Sequence, residues 1–418
     1  MFHRLRALSA ACLAAAGIGF GAPGAVAAPV WIKQLGTTAY DDIAAITFDT
    51  AGNVYVSGIT GGPLGGTHRG QDDAWIMKFD ATGKLAWKRQ PGTSGSDSAW
   101  AMAAGPAGSI YVGGDTNGAL PGPNKGNFDP WIAKLDTNGN YVWRRQPGTT
   151  ADDSLFSIAS DANGNVYAVG DSWGPLGGPN KGNADPWIVK YDANGVLLWR
   201  RQPGSPAYDT AVAVAVSPDG GSIYVAGWTN GSVGGPYKGG ADAWILKYDS
   251  AGNLLWKRQP ATTGEDFAFA IGTDAAGNVY VTGDTNGSLA GPKLGDFDGW
   301  LAKLDPLGTF LWRRQFGSAL EDSSLALSTD TAGNVFVGGW TYGGIGGPNQ
   351  GSTDAWVARF NAAGAQTWAA ETGTSEDDAA YALGADGFGN VYIGGSTWGA
   401  LIGTTKGDSD GFLSKYTP

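Results

Sequence analysis

Four kinds of short apolar run recur along the chain, always in the same order. The first is built of small apolar residues, as in AVAVAVS (Ala211–Ser217) or AFAIGTD (Ala268–Asp274). The second reads like GNVYVTG (Gly277–Gly283), the third like DAWILKYD (Asp242–Asp249) and the fourth like NLLWKRQ (Asn253–Gln259). Alternation and β-branched or aromatic content predict strands rather than helices. DATGK (Asp80–Lys84) and DSAGN (Asp249–Asn253) predict tight Asp/Gly turns between the third and fourth runs. Longer Gly/Pro segments such as GGPLGGPNKGNAD join the second run to the third. No segment after the first 27 residues reads as a helix.

The period is 56 or 57 residues. It is marked by Trp75, Trp131, Trp187, Trp244, Trp300, Trp356 and Phe412 in the third run. The fourth run carries Trp87, Trp143, Trp199, Trp256, Trp312 and a degenerate Trp368. Four antiparallel strands repeated seven times predict an all-β, seven-bladed β-propeller. The last unit stops after its third run. Trp31, in PVWIKQLGT (Pro29–Thr37), lies 56 residues before Trp87 and so in register with the fourth-run series. The prediction is one domain over 28–418, its last blade built from 378–418 plus 29–37. That closes the ring and removes two exposed sheet edges.

Residues 1–27 change the picture of where the protein works. Arg4 and Arg6, an apolar run from Ala7 to Phe20 and Ala25-Val26-Ala27 read as a signal peptide cleaved after Ala27. Export to a secreted, periplasmic or cell-surface location of a bacterium follows. A lipoprotein reading through Cys12 is poor, because Ser9 stands where Leu is usual. No other segment is apolar enough to span a bilayer as a helix. Cys12 is the only cysteine, so the mature chain has no disulfide and no thiol chemistry. The full chain carries 27 basic and 38 acidic residues, a net charge of −11. Loss of Arg4 and Arg6 makes the mature charge −13, which argues against nucleic acid as a partner.

DANGNVYAVG (Asp161–Gly170) and DAWILKYDSAGNLLWKRQ resemble the SBBP family, the short β-propeller repeats of exported bacterial proteins. The resemblance implies a propeller fold and extracytoplasmic binding or scaffolding. A weaker similarity, in DATGKLAW (Asp80–Trp87), is to quinoprotein repeats. With seven units and no mature Cys, only the docking role of the Trp carries over, not the quinone.

Repeated residues read as framework. Asp41, Asp97, Asp153, Asp209, Asp266, Asp322 and Asp378 each lie ten residues after a fourth-run Trp and read as turn caps. Their alternative is a ring of carboxylates holding a cation. Asp73, Asp129, Asp185, Asp242, Asp298, Asp354 and Asp410 read as turn formers. Calcium is chemically allowed, but no D-x-[DN]-x-[DN]-G loop is present. The WKRQ and WRRQ pairs read as solvated edge charges.

What breaks the repeat is more informative. Trp100 reads as core. Trp173, Trp228, Trp340 and Trp398 fall where the second strand enters the long loop, among Asp115, Asn117, Asp171, Asn230, Asp284, Asn286 and Tyr342. These loops share a face with the blade-to-blade loops. Aromatic faces with amide and carboxylate neighbours suit a glycan, or a cell-envelope protein. The mature chain has one histidine, His68, so Ser-His-Asp and His-metal chemistry lose support. The expectation is a monomeric binding module without a cofactor. The alternatives are a carboxylate-dependent glycan hydrolase or lyase, and a purely structural repeat protein.

Overall fold

The computed structural model describes residues 28–418. The expected signal peptide and Cys12 lie outside the described residues. Seven four-stranded antiparallel sheets are present. Blade 1 runs Ala45–Phe48, Val54–Thr60, Asp73–Phe79 and Leu85–Arg89, and blades 2 to 6 repeat this order. Blade 7 takes three strands from Asp378–Tyr416, and its outermost strand is Trp31–Leu35 from the other end of the chain. That strand pairs antiparallel with Asp410–Tyr416, Trp31 opposite Lys415 and Leu35 opposite Gly411. The innermost strands touch one another in a closed ring around the axis. Among the described residues the one helical element is a 3-10 turn at Pro106–Gly108.

The innermost strands of blades 3, 4, 6 and 7 carry a β-bulge at the same place. The bulged residue, as at Phe156, Val212, Leu325 and Tyr381, has no cross-strand partner. Beside the bulge the first two strands approach so closely that the second strand needs glycine. A Cβ on Gly170 or Gly227 would overlap the carbonyl oxygen of Ser154 or Thr210. The same carbonyl of Ser154 accepts the indole N–H of Trp187 at 3.0 Å, which fixes the fully buried third-strand Trp.

Blades are joined by a recurring clasp. The outer Trp87 donates its indole N–H to Thr137 O of the next blade at 3.0 Å, and its ring lies against Gly139. Trp143, Trp199, Trp256 and Trp312 do the same, each at 3.0–3.1 Å. Gly139 and its counterparts sit at positive φ, where a side chain would be strained and would also strike the indole. Arg89 stacks near Trp87 and donates to Gly139 O at 3.2 Å; Arg145, Arg201, Arg258 and Arg314 repeat the bond. The second member of each basic pair is therefore not the solvated edge charge expected. A guanidinium presents several donors in one plane and uses them on the neighbouring turn.

Candidate functional site

Within a blade, the loops from strand two to three and from blade to blade lie on one face. The Asp-x-x-Gly turns lie on the other. The loop face is built on two sets of aspartates. The side chains of Asp41, Asp97, Asp153, Asp209, Asp266, Asp322 and Asp378 are buried. In every blade Oδ2 accepts a backbone N–H from the Thr or Ser four residues earlier, at 2.5–2.6 Å. In six blades Oδ1 accepts the hydroxyl that ends the second strand, Thr60 for Asp41 and Ser172 for Asp153. Burial raises the pKa of all seven, with Asp322 and Asp378 pushed up to about 6. These carboxyls pin one blade to the next as caps. Among the described residues no group of three or more His, Cys, Asp or Glu is arranged to hold a metal ion.

The second set, Asp73 and its counterparts, caps the long loop. Asp73 accepts Arg69 N at 2.9 Å, and the same bond recurs at Asp129, Asp185, Asp242, Asp298, Asp354 and Asp410. His68 sits in this loop with Nδ1 3.5 Å from Asp73.

Above these supports the aromatic side chains gather unevenly. Trp173 is 46% exposed and meets Tyr208 edge-on at 5.9 Å. Tyr208 stacks on Trp228 at 5.0 Å, and Trp228 meets Phe267 edge-on at 5.5 Å. Phe267 in turn contacts Phe269 and Phe297. One aromatic row thus crosses blades 3, 4 and 5. Trp340 and Tyr342 form a separate edge-to-face pair in blade 6, 5.6 Å apart, and Trp398 stands in blade 7, 37% exposed. Trp100 is half-buried just before the innermost strand of blade 2 rather than in the core, its N–H bonded to Asp115 at 3.2 Å.

The polar candidates serve the framework as well as the face. Asp115 Oδ1 accepts Leu155 N of the next blade at 2.7 Å. Asp171 accepts the Tyr208 hydroxyl at 2.8 Å, which ties the carboxylate to the aromatic row. Asp284 accepts Ser323 Oγ and Ser324 N, both at 2.7 Å. Burial pushes Asp115 and Asp284 up to about 7 and Asp171 up to about 6. Asn117 and Asn286 accept Ser96 N and Glu265 N, and Asn230 donates to Gly240 O. Each amide thus braces loops on this face. Tyr208, Phe267 and Phe297 escaped the sequence reading. A signal was available at Tyr208, which occupies the varied position just before the repeated Asp209.

Comparison with known proteins agrees with this architecture. Residues 30–65, 142–177, 198–234, 255–290 and 367–403 match the SBBP β-propeller repeat. The regulatory protein FlaEY of Caulobacter vibrioides is 27% identical over 223 residues, 49% of this chain and 23% of its own. An uncharacterised WD repeat-containing protein, L264 of Acanthamoeba polyphaga mimivirus, is 24% identical over 207 residues, 42% of this chain and 13% of its own. The matches thus span less than a quarter of either relative's length. Among solved structures, U3-55K superposes with a TM-score of 0.56 at 10% identity, covering 94% of this chain and 99% of that one. The β-propeller domain of Myceliophteria thermophila Cps50 (Swd1) gives 0.53 at 9% identity, covering 93% and 100%. These two likenesses are of fold alone. With its repeats, blade count and strand exchange all in place, the chain is a seven-bladed β-propeller of the SBBP repeat family.

Proposed function

We propose that this propeller is an exported binding module, secreted or periplasmic, whose loop face holds a glycan. The row Trp173–Tyr208–Trp228–Phe267 carries the reading. It is a continuous, partly exposed aromatic strip of three blades' width, with the Asp171 carboxylate hydrogen-bonded into it. Sugar rings present apolar C–H faces to such a strip and hydroxyls to its polar edge. Catalysis has weaker support, since the carboxyls on this face are engaged in framework hydrogen bonds.

The test is a glycan and polysaccharide array on residues 28–418, with and without calcium. A specific hit should be lost on Trp173→Ala, and on Trp228→Ala combined with Trp340→Ala. Unchanged binding in these variants would disprove the site. A negative array followed by capture of one cell-envelope protein would replace the glycan by a protein ligand. Shortening of an incubated polysaccharide would establish the enzyme instead.

A further inference from the structure

Six blades end their outermost strand with the same glutamine: Gln34, Gln90, Gln146, Gln202, Gln259 and Gln315. Its amide locks the long loop from both sides. Gln90 Oε1 accepts Gly65 N and Gly66 N at 2.7 and 2.8 Å. Its Nε2 donates to Gly62 O at 3.0 Å and to Asp73 at 2.8 Å. Gln259 and Gln315 make the same pair of donations, to Gly231 O and Asp242 and to Gly287 O and Asp298. Blade 6 has Glu371 in this place.

The accepting half of the lock survives, with one bond more than at Gln90. Glu371 Oε2 accepts the N–H groups of Ile345, Gly346 and Gly347, each at 3.0 Å. The other half now lacks its donor. Glu371 is 6% exposed and Asp354 fully buried, Glu371 Oε1 is left without a hydrogen-bond partner, and the amide donation that Asp73, Asp242 and Asp298 receive from their glutamines has no counterpart at Asp354. Two buried carboxylates at hydrogen-bonding range require something positive between them. The charged groups packed nearby add none: they are Asp354 on the third strand and Asp378 at the start of blade 7, and in the loop 342–353 Tyr342 alone is titratable.

We propose that Glu371 is held as a neutral carboxylic acid, its O–H replacing the glutamine amide as donor, so that blade 6 has a proton-operated loop lock. Burial, reinforced by the Asp354 charge, pushes Glu371 up to about 7, and Asp354 is itself raised by burial. Loss of the proton sets two buried anions against each other beneath residues 342–351. That loop follows Trp340 and contains Tyr342. Blade 6 is the one place on the loop face where the lock titrates near neutral pH. The proposal stands on the lock geometry and does not depend on the ligand being a glycan.

The test is thermal unfolding of residues 28–418 and of Glu371→Gln between pH 5 and 8.5, with hydrogen exchange of the Ile345–Gly347 amides. The two proteins should match at pH 5. At pH 8 the variant should melt higher by about 5 °C. The wild-type blade 6 amides should also lose protection relative to Gly65 and Gly177 of blades 1 and 3 as the pH rises. A constant melting difference at all pH values, or a less stable variant at pH 8, would overturn the proposal. So would recovery of the wild type, but not the variant, by millimolar calcium at pH 8, because a cation and not a proton would then hold the pair.

Discussion

Removing residues 28–36 should open the ring, and the structure gives the scale of the loss. The Trp31–Leu35 strand pairs along five positions with Asp410–Tyr416. At about 1 kcal/mol per net hydrogen bond this ladder is worth roughly 5 kcal/mol. Gln34 adds three more bonds, to Asp410 at 2.7 Å, to Gly399 O at 3.2 Å and from Ile402 N at 3.1 Å, for about 3 kcal/mol. Trp31 meets Tyr392 edge-on at 5.8 Å, and Trp31 and Leu35 pack on a cluster containing Leu64, Trp75, Met77 and Phe79 of blade 1. Their partial burial contributes about 2–3 kcal/mol. The total, about 10 kcal/mol, is comparable to the whole stability of an ordinary domain, about 5–15 kcal/mol. Urea and thermal unfolding should therefore show residues 37–418 largely unfolded or aggregating at 37 °C. Re-attaching residues 28–36 after Pro418 through an Asp-Ala-Asn-Gly turn should restore most of the midpoint. A truncated chain that melts with the full-length midpoint would refute the closure argument.

Further outcomes follow from other parts of the molecule. Gly170→Ala should cost at least about 2–3 kcal/mol in urea unfolding, because its Cβ overlaps the Ser154 carbonyl; a neutral result would show that the inner strands are less closely set. Trp173→Ala should abolish an array hit while shifting the melting temperature by less than about 3 °C, since the ring is half-exposed. Stability should fall as the pH rises from 5 to 8. The carboxyls of Asp115, Asp171, Asp284, Asp322 and Asp378 are pushed up to about 6–7, so in that window the folded state holds protons that the unfolded chain has released. Calorimetry at pH 5 and 8 reads the sign directly, and a higher melting temperature at pH 8 would contradict it.

The blade was legible because every repeat solves the same packing problem. Small residues mark the crowded axis, a buried Trp marks the third strand and an Asp-x-x-Gly turn follows it. Even the exchange of Trp31–Leu35 into blade 7 was a matter of counting a period. What counting missed lies between blades. Arg89 looked like a surface charge because its acceptor, Gly139 O, is 50 residues away. Asp115 and Asp284 are engaged by the N–H groups of Leu155 and Ser324, each 40 residues away. Tyr208, Phe267 and Phe297 are unremarked in their own segments. They join Trp173 and Trp228 because three blades bring their loops to one place, a convergence with no local periodicity to announce it.

The exchanged strand also has a mechanical meaning. Trp31 lies opposite Lys415, so the chain enters and leaves blade 7 side by side, at the end where the Asp-x-x-Gly turns lie. Anything joined to either end of the domain would meet it on the side away from the aromatic row. Because both ends emerge at one end of an antiparallel pair, a pull between them peels the pair open rung by rung from Trp31–Lys415. Sliding all five rungs together is not required. A tether at either end would therefore orient the propeller, and tension between the two ends is the load most suited to releasing its closing strand.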